Sequence, residues 1–153
     1  MDLTKTAPRS VREKMLGIVQ LARTTDKAKA LAHGQIGEYK YDCPMDQGLF
    51  EYLGMDGKEF LNIVKTAKND GEIEAYAKPF LAKKDAQSID AFNKNWLWQV
   101  PTGESLKHFD EMRSKIAPTR TDVVTWSDLL DLDEGREVPH REPMAPRRET
   151  VSV

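Results

Sequence analysis

Apolar residues recur at helical spacing along most of this chain. Ser10 to Glu13 has the Ser-x-x-Glu form of a capping box, and Val11, Met15, Ile18, Val19 and Ala22 follow on one helical face. Thr25 can cap a further run through Ala28, Leu31 and Ala32 that Gly34 stops; the spacing does not choose between one bent helix and two. Pro44 suits a first helical position, where its missing N–H would be unpaired anyway. Leu49, Phe50 and Leu53 then make an apolar face that Gly54 ends. Asp56 and Glu59 form another capping pair ahead of the stripe Phe60, Leu61, Val64 and Ala67. Asp70 is the expected cap of the next helix, with Ile73, Tyr76, Ala77, Phe80 and Leu81 inward and Pro79 kinking it. Ile89, Phe92 and Trp96 mark a helix stopped by Pro101, and Leu106, Phe109, Met112 and Ile116 one stopped by Pro118. A last short helix is expected around Trp126, Leu129 and Leu130, closed by Gly135.

Residues 34–43, GQIGEYKYDC, depart from this pattern. Their parity alternates, which puts Tyr39, Tyr41 and Cys43 on one side of an extended segment. The segment is short and without a partner strand, so it reads as an extended loop. The expected fold is an all-α single domain over residues 1–138, of about seven helices, with that loop before the third helix. Residues 139–153, proline-bearing and patternless, read as an irregular C-terminal tail.

Charge then filters partners. Residues 1–40 carry 8 basic and 4 acidic side chains, and residues 119–138 carry 2 basic and 6 acidic. The net is -2 and the isoelectric point about 6.0, whereas a nucleic-acid-binding domain would be strongly basic. Nucleic acid is not an expected partner. No apolar run approaches the roughly 20 residues of a membrane span, and the first ten residues do not resemble a signal peptide. One cysteine allows no internal disulfide, which suits a reducing compartment, so a cytoplasmic protein is expected.

That cysteine is the first candidate for chemistry. With Pro44 as the first helical residue, Cys43 is the N-cap, where unpaired backbone N–H groups favour a thiolate. Asp46, at the third helical position, can reach back to the cap, but its charge opposes a thiolate. Lys40, Arg23 and Lys27 are the cations that would offset it. The alternative is that Cys43 packs as a small apolar group. His33 is a candidate base for Cys43, or else serves the C-terminus of its own helix. Tyr39 and Tyr41 are candidate pocket walls or core residues, and Gln47 a candidate hydrogen-bonding group. Arg23, Asp26 and Lys27 share one helical face, as a surface ion-pair cluster or as an anion clamp facing the loop.

No His/Cys/Asp/Glu spacing suggests a metal site, and no cofactor is implied. Residues 33–37 lack the Gly-Lys-Ser/Thr of a phosphate loop. The helices from Asp56 to Leu81 fail as a DNA-reading pair, because Glu72 and Glu74 in the second would repel phosphate.

The phrases ARTTDKAKA, GEYKYDCPMDQ, EYLGMD and APTRTDVVTWSDLLDLDEG together resemble a bacterial family catalogued only as domain of unknown function 5069. The resemblance covers roughly Pro8 to Pro139 and implies a cytosolic bacterial protein, with Met45 standing where the family often has Leu. It implies no activity. Two functional classes therefore stand: a small-molecule site, binding or enzymatic, at the Tyr39–Gln47 loop with Cys43 as nucleophile or ligand contact, and a non-enzymatic interaction module. The second would use the acidic 122–137 segment and the tail to engage a partner or another copy of the chain.

Overall fold

Local capping decides where the helices begin. Asp56, Asn69, Asp85 and Thr125 each accept a backbone N–H from the first turn that follows them. The structure, a computed structural model, describes residues 1–141. Among these residues the fold is all-α, with α1 (Leu21–Ala32), α2 (Pro44–Leu53), α3 (Gly57–Thr66), α4 (Asp70–Ala82), α5 (Ala86–Leu97), α6 (Glu104–Ile116) and α7 (Trp126–Asp133).

The described chain forms two units. The first, Met1–Trp98, holds α1 to α5. Its core gathers Ile18, Leu21, Leu49, Phe50, Phe60, Val64, Ile73 and Leu81, with α1 packed on α2 and α3. Helix α1 is buried from Leu21 through Ala28, polar residues included. A helix buried all round is usually apolar all round; this one must satisfy its polar groups internally.

The second unit begins at Gln99 and holds α6 and α7 around Phe109, Val123 and Leu129. Trp126 meets Phe109 edge-on at 5.1 Å. Here several acidic residues are paired with arginines. Arg120 grips Asp122 with two bonds of 3.0 Å and also donates to the carbonyls of Val138 and Pro139. Arg141 donates its backbone N–H to Asp122 and two guanidinium bonds to Asp128. The hydrogen bond from Arg120 holds the Asp122 carboxyl well below the usual range. The first residues of the expected tail, 139–141, are thus bound to their own unit; residues 142–153 lie outside the described residues.

Three sequence expectations are corrected. Residues 11–20 form no helix. Ser10 accepts the N–H of Arg12 with its hydroxyl and that of Glu13 with its carbonyl, which closes a single turn. A tight reversal with Leu16 and Gly17 at positive φ (56° and 84°) then pairs Met15 with Ile18. Val11, Met15, Ile18 and Val19 are buried all the same, so the apolar spacing reported burial without helix. Thr25 consequently lies inside α1 and caps nothing, and the loop at 34–43 precedes the second helix. Secondly, that loop is a run of turns, not an extended segment. Asp42 at φ 63° breaks its alternation. Thirdly, Asn69 caps α4, because Asp70 is drawn instead into ion pairs with Arg9 and Lys29.

The irregular 11–20 segment depends on Asn93 of α5. Its side-chain carbonyl accepts the N–H of Val19 and its amide donates to Gly17 O, each at 3.0 Å. Asn93→Ala would leave both backbone groups without that partner at a site only 6% exposed, an expected cost of about 1–3 kcal/mol. Urea denaturation checks this, and a change under 0.5 kcal/mol would show that the segment holds without it.

Candidate functional site

Gln20, Thr24 and Lys27 are spaced four and three residues apart, so they share one face at the start of α1. That face meets the first turn of α2, where Asp46 is the third helical residue. Asp46 is fully buried and accepts four hydrogen bonds. Its Oδ1 takes the Thr24 hydroxyl at 2.6 Å and the Gln20 amide at 3.1 Å. Its Oδ2 takes Lys27 Nζ at 2.8 Å and the Cys43 N–H at 3.2 Å. The last of these is the reach back to the cap that the sequence suggested.

Lys27 is the link to the cysteine. Its Nζ lies 3.3 Å from Cys43 Sγ, while the ammonium itself is buried, with Lys27 only 4% exposed. Cys43 as a whole is half-buried. The sulfur has a cation in contact with it at the start of α2, and Asp46 shares that cation.

Gln20 is held for its part by the aromatic side of the unit. Trp96 Nε1 donates to Gln20 Oε1 at 3.3 Å, leaving the amide nitrogen for Thr24 and Asp46. Trp96 stacks on Phe92, and Phe92 on Tyr52, with ring centroids 5.0 and 4.5 Å apart. Gly48 makes room for this indole, since a Cβ there would stand 2.3 Å from the Trp96 ring. Gln20 holds a positive φ of 75°, a conformation that few residues other than glycine adopt.

The remaining candidates separate. Tyr41 turns inward, its hydroxyl donating to Gly57 O at 2.6 Å and its ring packing on Phe50. Tyr39 lies under the Arg23 guanidinium at 5.7 Å. Gln47, exposed, donates to Asp42 O at 2.8 Å. His33, also exposed, bonds through Nδ1 to Lys29 O at the end of its own helix. The surface ion-pair reading of Arg23, Asp26 and Lys27 is corrected, since all three are buried and reach other elements. Asp26 takes the backbone and guanidinium of Arg9, and Arg23 donates to Arg9 O at 3.2 Å.

Gln20, Thr24 and Trp96 were not anticipated. The usable signal was the polar spacing 20, 24, 27, which places three hydrogen-bonding side chains on one helical face. Among the described residues, no group of three or more His, Cys, Asp or Glu comes together to hold a metal ion. None of their helices is long and apolar enough to cross a membrane.

The family model described as Domain of unknown function (DUF5069) matches residues 5–136. The chain belongs to this family. The match takes in the whole Lys27–Cys43–Asp46 cluster and runs close to the range expected from the sequence phrases. No curated protein matches this DUF5069 chain.

The tyrosines give the site's unit an alkaline limit. Burial, with Asp46, Asp42 and Asp56 nearby, pushes the Tyr41 phenol far up. Burial and the hydrogen bond to Glu59 push Tyr76 up to about 12 from 10.0. A raised value means the folded state holds the proton more tightly. The stability linked to it is complete below pH 10 and lost as pH rises through about 12. Phenolate absorbance followed against pH should show Tyr76 ionising late, and Glu59→Gln should move that step down. An unshifted step would remove Glu59 as a cause.

Proposed function

We propose that this protein carries a thiol-dependent small-molecule site at the Tyr39–Gln47 loop, in which Cys43 reacts and Lys27 is its charge partner. The observation that carries the reading is the buried Lys27 side chain with its Nζ 3.3 Å from the sulfur of half-buried Cys43. The substrate class that suits a cation-assisted thiolate is a small electrophile. Gln47 at the exposed side of the loop and half-buried Tyr39 are the groups that would meet such a molecule, with buried Arg23 backing the Tyr39 ring. Asp46 positions Lys27 and the loop, and does not itself touch the reactant. Tyr41 is wall, its hydroxyl already given to Gly57 O. His33 has no part in this reading, because it is engaged with Lys29 O. A bacterial cytoplasm is the setting we infer, since a single thiol without a disulfide partner needs a reducing compartment to stay free.

The competing reading, an interaction module built on the acidic 122–137 segment, has less support. Asp122, Asp128, Asp131 and Glu134 are paired within the unit with Arg120, Arg141 and Arg136, so four of the segment's six acidic side chains are already engaged.

Native-state alkylation of Cys43 by iodoacetamide at pH 7 tests the proposal. Asp46→Asn, which leaves the ammonium less shared, should speed the reaction. The double change Lys27→Gln with Asp46→Asn removes both charges together, so no buried charge is stranded, and should slow it about tenfold, equivalent to about 1.4 kcal/mol. Equal rates in all three proteins, or no alkylation before unfolding, would leave Cys43 as a packing residue.

A further inference from the structure

A half-buried thiol that meets an oxidant must be captured by something before it is lost. Sulfenic acid has two usual intramolecular fates, condensation with another thiol or with a backbone nitrogen. This chain closes the first and narrows the second. Cys43 is its only cysteine. The residue that follows is Pro44, whose nitrogen carries no hydrogen, and the N–H of Cys43 itself is bonded to Asp46. The Asp46 backbone N–H also meets the Cys43 side chain, as the other half of the capping box, but it is a weakly nucleophilic amide; the amine that faces the sulfur is Lys27 Nζ at 3.3 Å, held there by Asp46 and 4% exposed.

We infer that Lys27 and Cys43 form a reversible covalent S–N crosslink when the protein meets a hydroperoxide. This rests on the thiol reading above and adds the fate of its oxidised form. Sulfur first attacks the peroxide, the O–O bond breaks, and Cys43 becomes sulfenic acid with release of water or alcohol. The Lys27 amine, having given up its proton, then attacks the same sulfur and expels the hydroxyl as water. With hydrogen peroxide, the ammonium, the thiol and the oxidant become the linked pair, two waters and one proton. Sulfur is oxidised by two electrons and the peroxide is reduced by the same two. An external thiol reverses the step: two thiols become a disulfide and return amine and thiol.

The structural consequence is specific. The crosslink joins α1 to the start of α2 and withdraws Lys27 from Asp46, which keeps Thr24, Gln20 and the Cys43 N–H as donors. It also shields sulfur from the irreversible sulfinic and sulfonic stages.

The test is mass spectrometry of the intact chain after hydrogen peroxide, then of its peptides, without reductant. The expected product is one linked pair containing Lys27 and Cys43, about 2 Da below the sum of the two peptides, and dithiothreitol should remove it. Lys27→Arg keeps a cation against Asp46 but should lose the crosslink, so that Cys43 proceeds to sulfinic and sulfonic acid. Overoxidation at the same rate in the unmodified chain, with no linked pair, would overturn the inference while iodoacetamide reactivity kept the thiol reading intact. Indifference of the folded protein to both reagents would end both.

Discussion

A single carboxylate ties the first unit together. Asp46 is buried completely, and an ionised group in such a place costs several kcal/mol unless it is paired and hydrogen-bonded. Four donors meet that requirement, and they come from both sides of the contact between α1 and the start of α2. Each donor is in turn held by something else. Trp96 holds Gln20, Gln20 donates to Thr24, and the fold of the 37–43 loop brings the Cys43 N–H into place. Apolar packing alone would allow α1 to rotate or slide against α2. The carboxylate does not, because any shift leaves a buried charge short of a donor.

The chemistry of the loop follows from that constraint. Lysine is rarely buried without a partner, and Asp46 is what lets Lys27 remain inside, 4% exposed. Once there, its ammonium has three protons to place, and the Cys43 sulfur lies within reach of one. The thiol therefore owes its cation to a structural ion pair. This also bounds its activation: a cation shared with a carboxylate at 2.8 Å acts on sulfur less than an unshared one would.

Local signals in the sequence were the ones that could be read. Cys43-Pro44 marks a helix start because proline at the first position is a steric and hydrogen-bonding matter within a few residues. Asp46 reaching its cap is equally local. Gly54 ending α2 in the left-handed region is another such case. Residues 11–20 were misread because periodicity reports burial, and a tight reversal at Leu16–Gly17 can bury the same side chains as a helix turn. Asp70 was misread as a cap because its partners, Arg9 and Lys29, are distant in sequence. The approach of Lys27 to Cys43 was named only as a condition, since nothing local fixes the angle between α1 and α2.

One arrangement can therefore serve stability and reactivity with the same residues, and the two uses pull in opposite directions. On the proposed reading, strengthening the hold of Asp46 on Lys27 would fix the helices and dull the thiol; loosening it would sharpen the thiol and strand a buried charge. The proposed sulfur chemistry would have to fit between these limits. The same amine that Asp46 holds in place lies 3.3 Å from the sulfur. Proline at position 44 removes the following residue's N–H from any competition with it. On the proposed chemistry the helix start at Cys43-Pro44 is thus more than a cap: it removes one nitrogen, while α1 brings another to the sulfur.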